Sequence, residues 1–234
     1  MIRSQCSNFF SIISLTLVIV LTSCSAGKFI PDNKYLLDKV EIKSDRKGFD
    51  AAQLAPYIRQ KANSKWFSLF KIPLGTYALS GKDSTKWINR TLQRIGEQPV
   101  LFDSAQARLS CEDLRIAMQN MGYMNARVSF NVKVRKKKNL DAIYTLSPGE
   151  PFYIKHFRYD IQDSVVACVL KPHISEKFIP RQFTVSSLDN ERSRLTAVLN
   201  DSGYYRFHKD FIQFDADSVR GSRDIDVTLH LLKY

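Results

Sequence analysis

Between Ala126 and Val134 every second side chain is apolar: Ala126, Val128, Phe130, Val132 and Val134 alternate with Arg127, Ser129, Asn131 and Lys133. A period of two predicts a strand with one face buried and the other in water. Lys136-Lys137-Lys138-Asn139 is polar enough to turn, and Ala142, Tyr144 and Leu146 continue the apolar face along a return strand that Pro148-Gly149 ends. Upstream the period changes. Ala107, Cys111, Leu114, Met118 and Met121 recur at spacings of three and four, which predicts an amphipathic helix that Asp103 or Ser104 caps and Gly122 stops.

The same order returns further along. The ten residues from Leu114 to Tyr123 (LRIAMQNMGY) recur as Leu195 to Tyr204 (LTAVLNDSGY), 81 residues later. In this second helix Ser186 or Ser187 caps the start, Leu188, Leu195, Val198 and Leu199 form the apolar face, and Glu191, Arg192 and Arg194 are expected outside. Each Gly-Tyr pair predicts a helix that ends on a left-handed glycine, with the tyrosine turning inward. Beyond the second pair, Ile225, Val227, Leu229 and Leu231 alternate with Asp224, Asp226, Thr228 and His230 as a strand, whereas Phe211-Ile212-Gln213-Phe214 breaks phase as a bulge would.

A short strand precedes each helical section, at residues 37–43 and 152–161, and residues 51–62 and 163–172 supply a first helix in each copy. Residues 63–102 are an insertion in the first copy. The chain therefore reads as α+β: two tandem β-α-α-β-β domains over 35–149 and 150–234, each a three-stranded mixed sheet with two helices on one face.

The first residues set a different problem. Arg3 is the only charge before Cys24, residues 9–21 are almost all Phe, Ile, Leu and Val, and the run is shorter than the roughly 20 residues of a spanning helix. Leu21-Thr22-Ser23-Cys24 is similar to a bacterial lipobox, which implies a leader over 1–23, cleavage before Cys24, a lipid on that cysteine and a tether over 24–34. Acyl chains contribute about 0.8 kcal/mol per buried methylene, enough in combination to hold a protein on a membrane.

Charge is read through that leader. The 234 residues carry 35 Lys and Arg against 23 Asp and Glu, a net charge of +12, and loss of the leader removes only Arg3 and leaves +11. In an exported, tethered chain this basic balance meets phosphate on lipid headgroups and lipopolysaccharide, so a membrane surface ranks above nucleic acid, which is not expected as a partner. Arg135, Lys136, Lys137 and Lys138 form the densest run and are candidates for anionic-surface contact, although a solvated turn is the preferred reading. Residues 65–74 mix aromatics with lysines as interfacial segments do, but Pro73 and Gly75 break a long helix there, which favours packing against the first repeat. Cys111 and Cys168, which remain once Cys6 and Cys24 are set aside, fall on helices of different repeats and are expected as small buried side chains rather than a disulfide.

Catalytic patterns are missing. Five residues separate Gly75 from Gly81 where a phosphate loop has four, and Asp83 stands where Ser or Thr would hold magnesium. His156, His173, His208 and His230 show no zinc-hydrolase spacing, and the pairs Glu112-Asp113 and Asp224/Asp226 suit a helix start and a solvated strand face. No enzyme, metal site or cofactor is expected.

Behind the lipobox, Lys28-Phe29-Ile30-Pro31, Tyr35-Leu36-Leu37, Trp87-Ile88-Asn89-Arg90, the run from Ile95 to Asp103 (IGEQPVLFD) and both Gly-Tyr turns with their hairpins resemble the POTRA region of BamA/TamA-like outer-membrane assembly proteins, in the lipidated form found in Bacteroidetes. The resemblance runs from Cys24 to Tyr234, and the transmembrane β-barrel that normally follows is not in this sequence. It implies a periplasmic module, lipid-anchored at the outer membrane, that binds unfolded outer-membrane protein clients and works with a β-barrel or other assembly subunits. It also implies that the first strand of each hairpin lies at a sheet edge. Residues 126–135 and 206–214 are then the edges that accept an extended peptide as an extra strand, through Ala126, Val128, Phe130, Val132, Val134, Phe207 and Phe211; an edge merely tolerated and protected by Lys133, Arg135 and the adjacent lysines fits equally well. A structural envelope lipoprotein that binds anionic lipid or lipopolysaccharide is the alternative.

Overall fold

A computed structural model describes residues 30–63, 72–80, 85–136, 138–174, 181–218 and 221–232. Residues 1–29, which hold the expected leader and Cys24, lie outside the described residues, as do Lys137 and residues 64–71. The chain divides into two compact units, one drawn from residues 1–43, 58–111 and 129–145, the other from 44–57, 112–128 and 146–234.

In chain order the elements are β1 (Leu36–Ser44), a 3-10 turn (Ala51–Tyr57), α1 (Ile72–Leu79), α2 (Trp87–Ile95), α3 (Ser104–Asn120), β2 (Arg127–Val134), β3 (Asn139–Ser147), β4 (Tyr153–Ile161), α4 (Ser164–Leu170), β5 (Arg181–Gln182), α5 (Val185–Asp201), β6 (Ile212–Ser218) and β7 (Asp224–Leu231). The strands form two sheets, β1-β3-β2 with the three strands expected and β5-β4-β7-β6 with four, because the two-residue β5 adds a strand beside β4. In the second, β4 runs parallel to β7 while β5 and β6 are antiparallel to their neighbours, a mixed sheet. The fold is α+β and carries one strand-helix-strand-strand motif twice.

The duplication is closest around the long helices. Both α3 and α5 have 17 residues, and each boundary of α5 lies 81 residues after that of α3. Asp103 starts α3 by accepting from the Ala105 N–H at 2.8 Å; at the matching position Thr184, not Ser186 or Ser187, accepts from Ser187 N–H at 3.1 Å and caps α5. At the other end the backbone bonds repeat. Tyr123 N–H donates to Met118 O at 3.0 Å and Gly122 N–H to Gln119 O at 2.8 Å; Tyr204 N–H donates to Leu199 O at 3.0 Å and Gly203 N–H to Asn200 O at 3.1 Å. Gly122 (φ +92°) and Gly203 (φ +101°) are both left-handed, the Schellman arrangement that satisfies orphan carbonyls at a helix end.

Three expectations are corrected by the packing. The helix expected at 51–62 is a 3-10 turn ending at Tyr57, because Pro56 lacks the N–H that an α-helix would use and its ring obstructs the preceding turn. Glu191 is not outside: it is buried, three residues after Leu188 and four before Leu195 on the same face. Its carboxylate accepts from Tyr159 Oη at 2.9 Å and from Arg194 Nε at 2.9 Å and Nη2 at 2.6 Å. Burial alone would raise its pKa, but these bonds outweigh that and hold it below the usual value, while burial and then the Glu191 charge push Tyr159 up to about 12. Cys168 is exposed, since Val166 and Leu170 turn α4 inward and leave position 168 opposite; Cys111 is half-buried, burial raises its thiol pKa, and both cysteines are free.

The core of the second sheet is Val166 and Leu170 from α4, Leu195 and Leu199 from α5, and Phe207, Ile212, Leu229 and Leu231. In the first repeat Ala107, Leu114, Ala117 and Met118 on α3 and Leu140, Ala142, Tyr144 and Leu146 on β3 are among the buried residues. Leu74 of α1 packs with Ile30 and Leu36, so the insertion rests on the first repeat at that point. Gly75, the first glycine of the rejected phosphate loop, lies within α1.

Candidate peptide-binding edges

A sheet has two edges, and here one of each pair is closed by its own chain. On β1, Leu37 N–H donates to Val100 O and Phe102 N–H to Tyr35 O, both at 2.8 Å, around an antiparallel bridge between Leu36 and Leu101. Two side-chain amides hold that covering segment. Buried Asn63 donates to Gln98 O at 2.7 Å and accepts from Val100 N–H at 3.0 Å, and Gln60 donates to Leu101 O and accepts from Asp103 N–H, both at 3.0 Å. On β4 the covering segment is β5, which pairs Tyr153 with Gln182 and Ile154 with Arg181. Residues 100–102 and 181–183 are again 81 apart, so both copies close the same edge by the same device.

The opposite edges are β2 and β6, which end their sheets; among the described residues no strand pairs with their outer sides. Along β2, Val128 and Phe130 are half-buried, with Phe130 packed on the rings of Phe102 and Tyr144 at 6.4 and 6.2 Å, whereas Val132 and Val134 are 46% and 56% exposed. Ala126 is buried just before the strand begins. The apolar row that starts in the core thus runs out into solvent at the edge. Its polar counterpart, Arg127, Ser129, Asn131 and Lys133, is basic.

β6 begins at Ile212 rather than Arg206. Phe207 is therefore not an edge residue: it is fully buried, packed on the tilted ring of Phe211 at 5.6 Å, and occupies the place that Ala126 has in the first copy. Phe211 belongs to a 3-10 turn before the strand and packs on the same core. The phase break at 211–214 is this strand start and no bulge, since β6 and β7 stay in continuous register from Ile212↔Leu231 to Ser218↔Ile225. The register shift of the sheet is in β4, between Ile154 and His156.

The outward residues of β6 are Gln213, Asp215 and Asp217, so this edge is acidic where β2 is basic. His230 on β7 bridges Asp160 at 2.8 Å and Asp215 at 3.1 Å, linking three strands across the solvent face. Asp226, directly opposite Asp217, is bonded to His156 at 2.8 Å and lies 3.7 Å from Arg158. Arg192 of α5 stacks over the Phe214 ring at 4.9 Å and ties β6 to the helix layer. Among the described residues no group of three or more His, Cys, Asp or Glu is arranged to hold a metal ion.

The basic run of the first hairpin is partly committed. Arg135 is bonded to buried Asp141 at 2.6 Å, Lys138 takes a left-handed conformation (φ +59°) and pairs with Asp32 at 2.8 Å, and Lys136 is exposed. Sequence reasoning missed Asn63, Gln60 and β5, although the repeat that carries Phe102-Asp103 onto Phe183-Thr184 was a signal that could have extended it backwards.

No protein-family model and no curated protein matches the sequence. Solved structures similar to the chain include POTRA domains 3–5 of BamA from Haemophilus influenzae, at 11% identity and a TM-score of 0.34, covering 87% of this chain and 99% of that one. POTRA domains 1–2 of Omp85 from Anabaena match at 8% identity and a TM-score of 0.36, covering 87% of this chain and 99% of that one. BamA from Haemophilus ducreyi lacking POTRA domains 1–3 matches at 12% identity and a TM-score of 0.39, covering 86% of this chain and 30% of that one.

Proposed function

We propose that the chain is a polypeptide-binding module of outer-membrane protein assembly or translocation, lipid-anchored through Cys24 on the periplasmic face of the outer membrane, and that it receives unfolded barrel segments by strand addition at β2 and β6. The observation that carries this reading is the asymmetry of the edges: each repeat closes the edge of its first strand with a short segment of its own and leaves the hairpin's first strand open. The sequence resemblance to the POTRA region supports the cellular setting, with a barrel or another assembly subunit as the working partner. The reading assigns the chain no catalysis and no cofactor apart from the lipid.

Backbone hydrogen bonds ignore client sequence, and each contributes about 0.5–1.5 kcal/mol net, so three or four of them contribute about 1.5–6 kcal/mol and give transient binding, weaker than about 10⁻⁵ M. A photo-crosslinker placed at Val132 or Ala216 should capture an extended peptide copied from an outer-membrane barrel strand, and one at Tyr153, beside the closed edge of β4, should capture it about tenfold less. Equal capture at all three positions, or none at the first two, would refute strand addition.

A further inference from the structure

α2 leaves most of its apolar side chains in water. Trp87, Ile88 and Ile95 are 73%, 54% and 69% exposed, and no residue of the helix is buried. The sequence nevertheless sorts its residues sharply. At 100° per residue Trp87, Thr91, Ile95, Ile88 and Leu92 fall within an arc of about 140°, and Lys86, Asn89, Arg90, Gln93 and Arg94 fill the opposite side. The half-buried residues Asn89, Leu92 and Gln93 mark the side turned towards the protein. Gly96 shows how close that side lies to α1, because a Cβ there would be 2.5 Å from the Tyr77 backbone nitrogen. The indole and both isoleucines therefore point away from the fold. Arg90 and Arg94 border them, and no acidic residue occurs from Thr85 to Ile95.

We infer that α2 is a membrane-surface helix that seats Trp87, Ile88 and Ile95 at the headgroup boundary of an anionic bilayer, with Lys86, Arg90 and Arg94 on the headgroup phosphates. Three features favour this occupant. A tryptophan at one end of an apolar strip, with cations along the border, is the composition of helices that lie in an interface. The uniform positive charge of the helix complements a surface of one sign rather than a mixed protein face. The chain's net charge of +12 points to the same kind of partner and opposes self-association through this face. The inference is independent of strand addition at β2 and β6.

Hydroxyl-radical footprinting of the full chain tests it without substitution. Vesicles of phosphatidylcholine with about 30% phosphatidylglycerol should lower modification of Trp87 and Ile95 about threefold or more, and vesicles of phosphatidylcholine alone should leave it nearly unchanged. About 0.5 M salt should reverse the protection, and Arg90→Glu with Arg94→Glu, both at exposed positions, should weaken vesicle partition about tenfold with unchanged circular dichroism. Unchanged modification with anionic vesicles, equal protection by neutral ones, or protection that rises with protein concentration in the absence of lipid would each overturn the inference, the last in favour of a second copy.

Discussion

Gly122→Ala is expected to destabilise the protein by about 3 kcal/mol or more, and Gly203→Ala by about 1–2 kcal/mol, although the two glycines share one backbone conformation. Both substitutions place a Cβ in the left-handed region, at φ +92° and +101°. Only at Gly122 does the new atom also meet backbone, 2.3 Å from Phe183 O, whereas nothing lies within 4 Å at Gly203. The obstruction cannot rotate away, because it sits in a chain of main-chain bonds: Phe152 N–H donates to Gly122 O and Phe183 N–H to Phe152 O, each at 2.9 Å. Urea unfolding of the two variants measures the difference directly. Equal midpoints would mean that the Gly122 turn is not seated against Phe183.

Phe207→Ala is the second large effect, a loss of about 3–5 kcal/mol. An edge aromatic that waits for a client could be removed for less than about 1 kcal/mol. Phe207 instead packs with Leu195, Leu199, Ile212 and Leu229, and its truncation opens a cavity in the middle of the second repeat. Thermal or denaturant unfolding of this variant separates the two roles, and a near-neutral result would return Phe207 to the edge.

Much of this fold was legible because its patterns are periodic. Alternation drew β2, β3 and β7, three-and-four spacing drew α3 and α5, and the paired Gly-Tyr turns announced the duplication. What escaped has no period. Residues 100–102 and β5 are two or three residues long, and the amides that hold one of them, Asn63 and Gln60, are single side chains on a loop. Glu191 reads as solvent-facing by type, and what makes it a buried acceptor is the pairing of Arg194 with Tyr159, the latter on a strand 32 residues away in sequence. Phe207 and Phe211 have the apolar character of strand residues, and the three-residue turn that precedes β6 carries no mark in the sequence. The open edges themselves could be placed from the sequence only through the family resemblance; pairing order is a long-range property that local alternation does not encode.

Residue-resolved amide hydrogen exchange, with and without a saturating extended barrel-strand peptide, tests the central claim most directly. The account predicts that alternate amides within Arg127–Val134 and Ile212–Ser218 exchange fast in the free protein and slow on addition of the peptide, with Leu36–Ser44 and Tyr153–Ile161 unchanged. Peptide-induced protection confined to β1 and β4, or none in any strand, would contradict it.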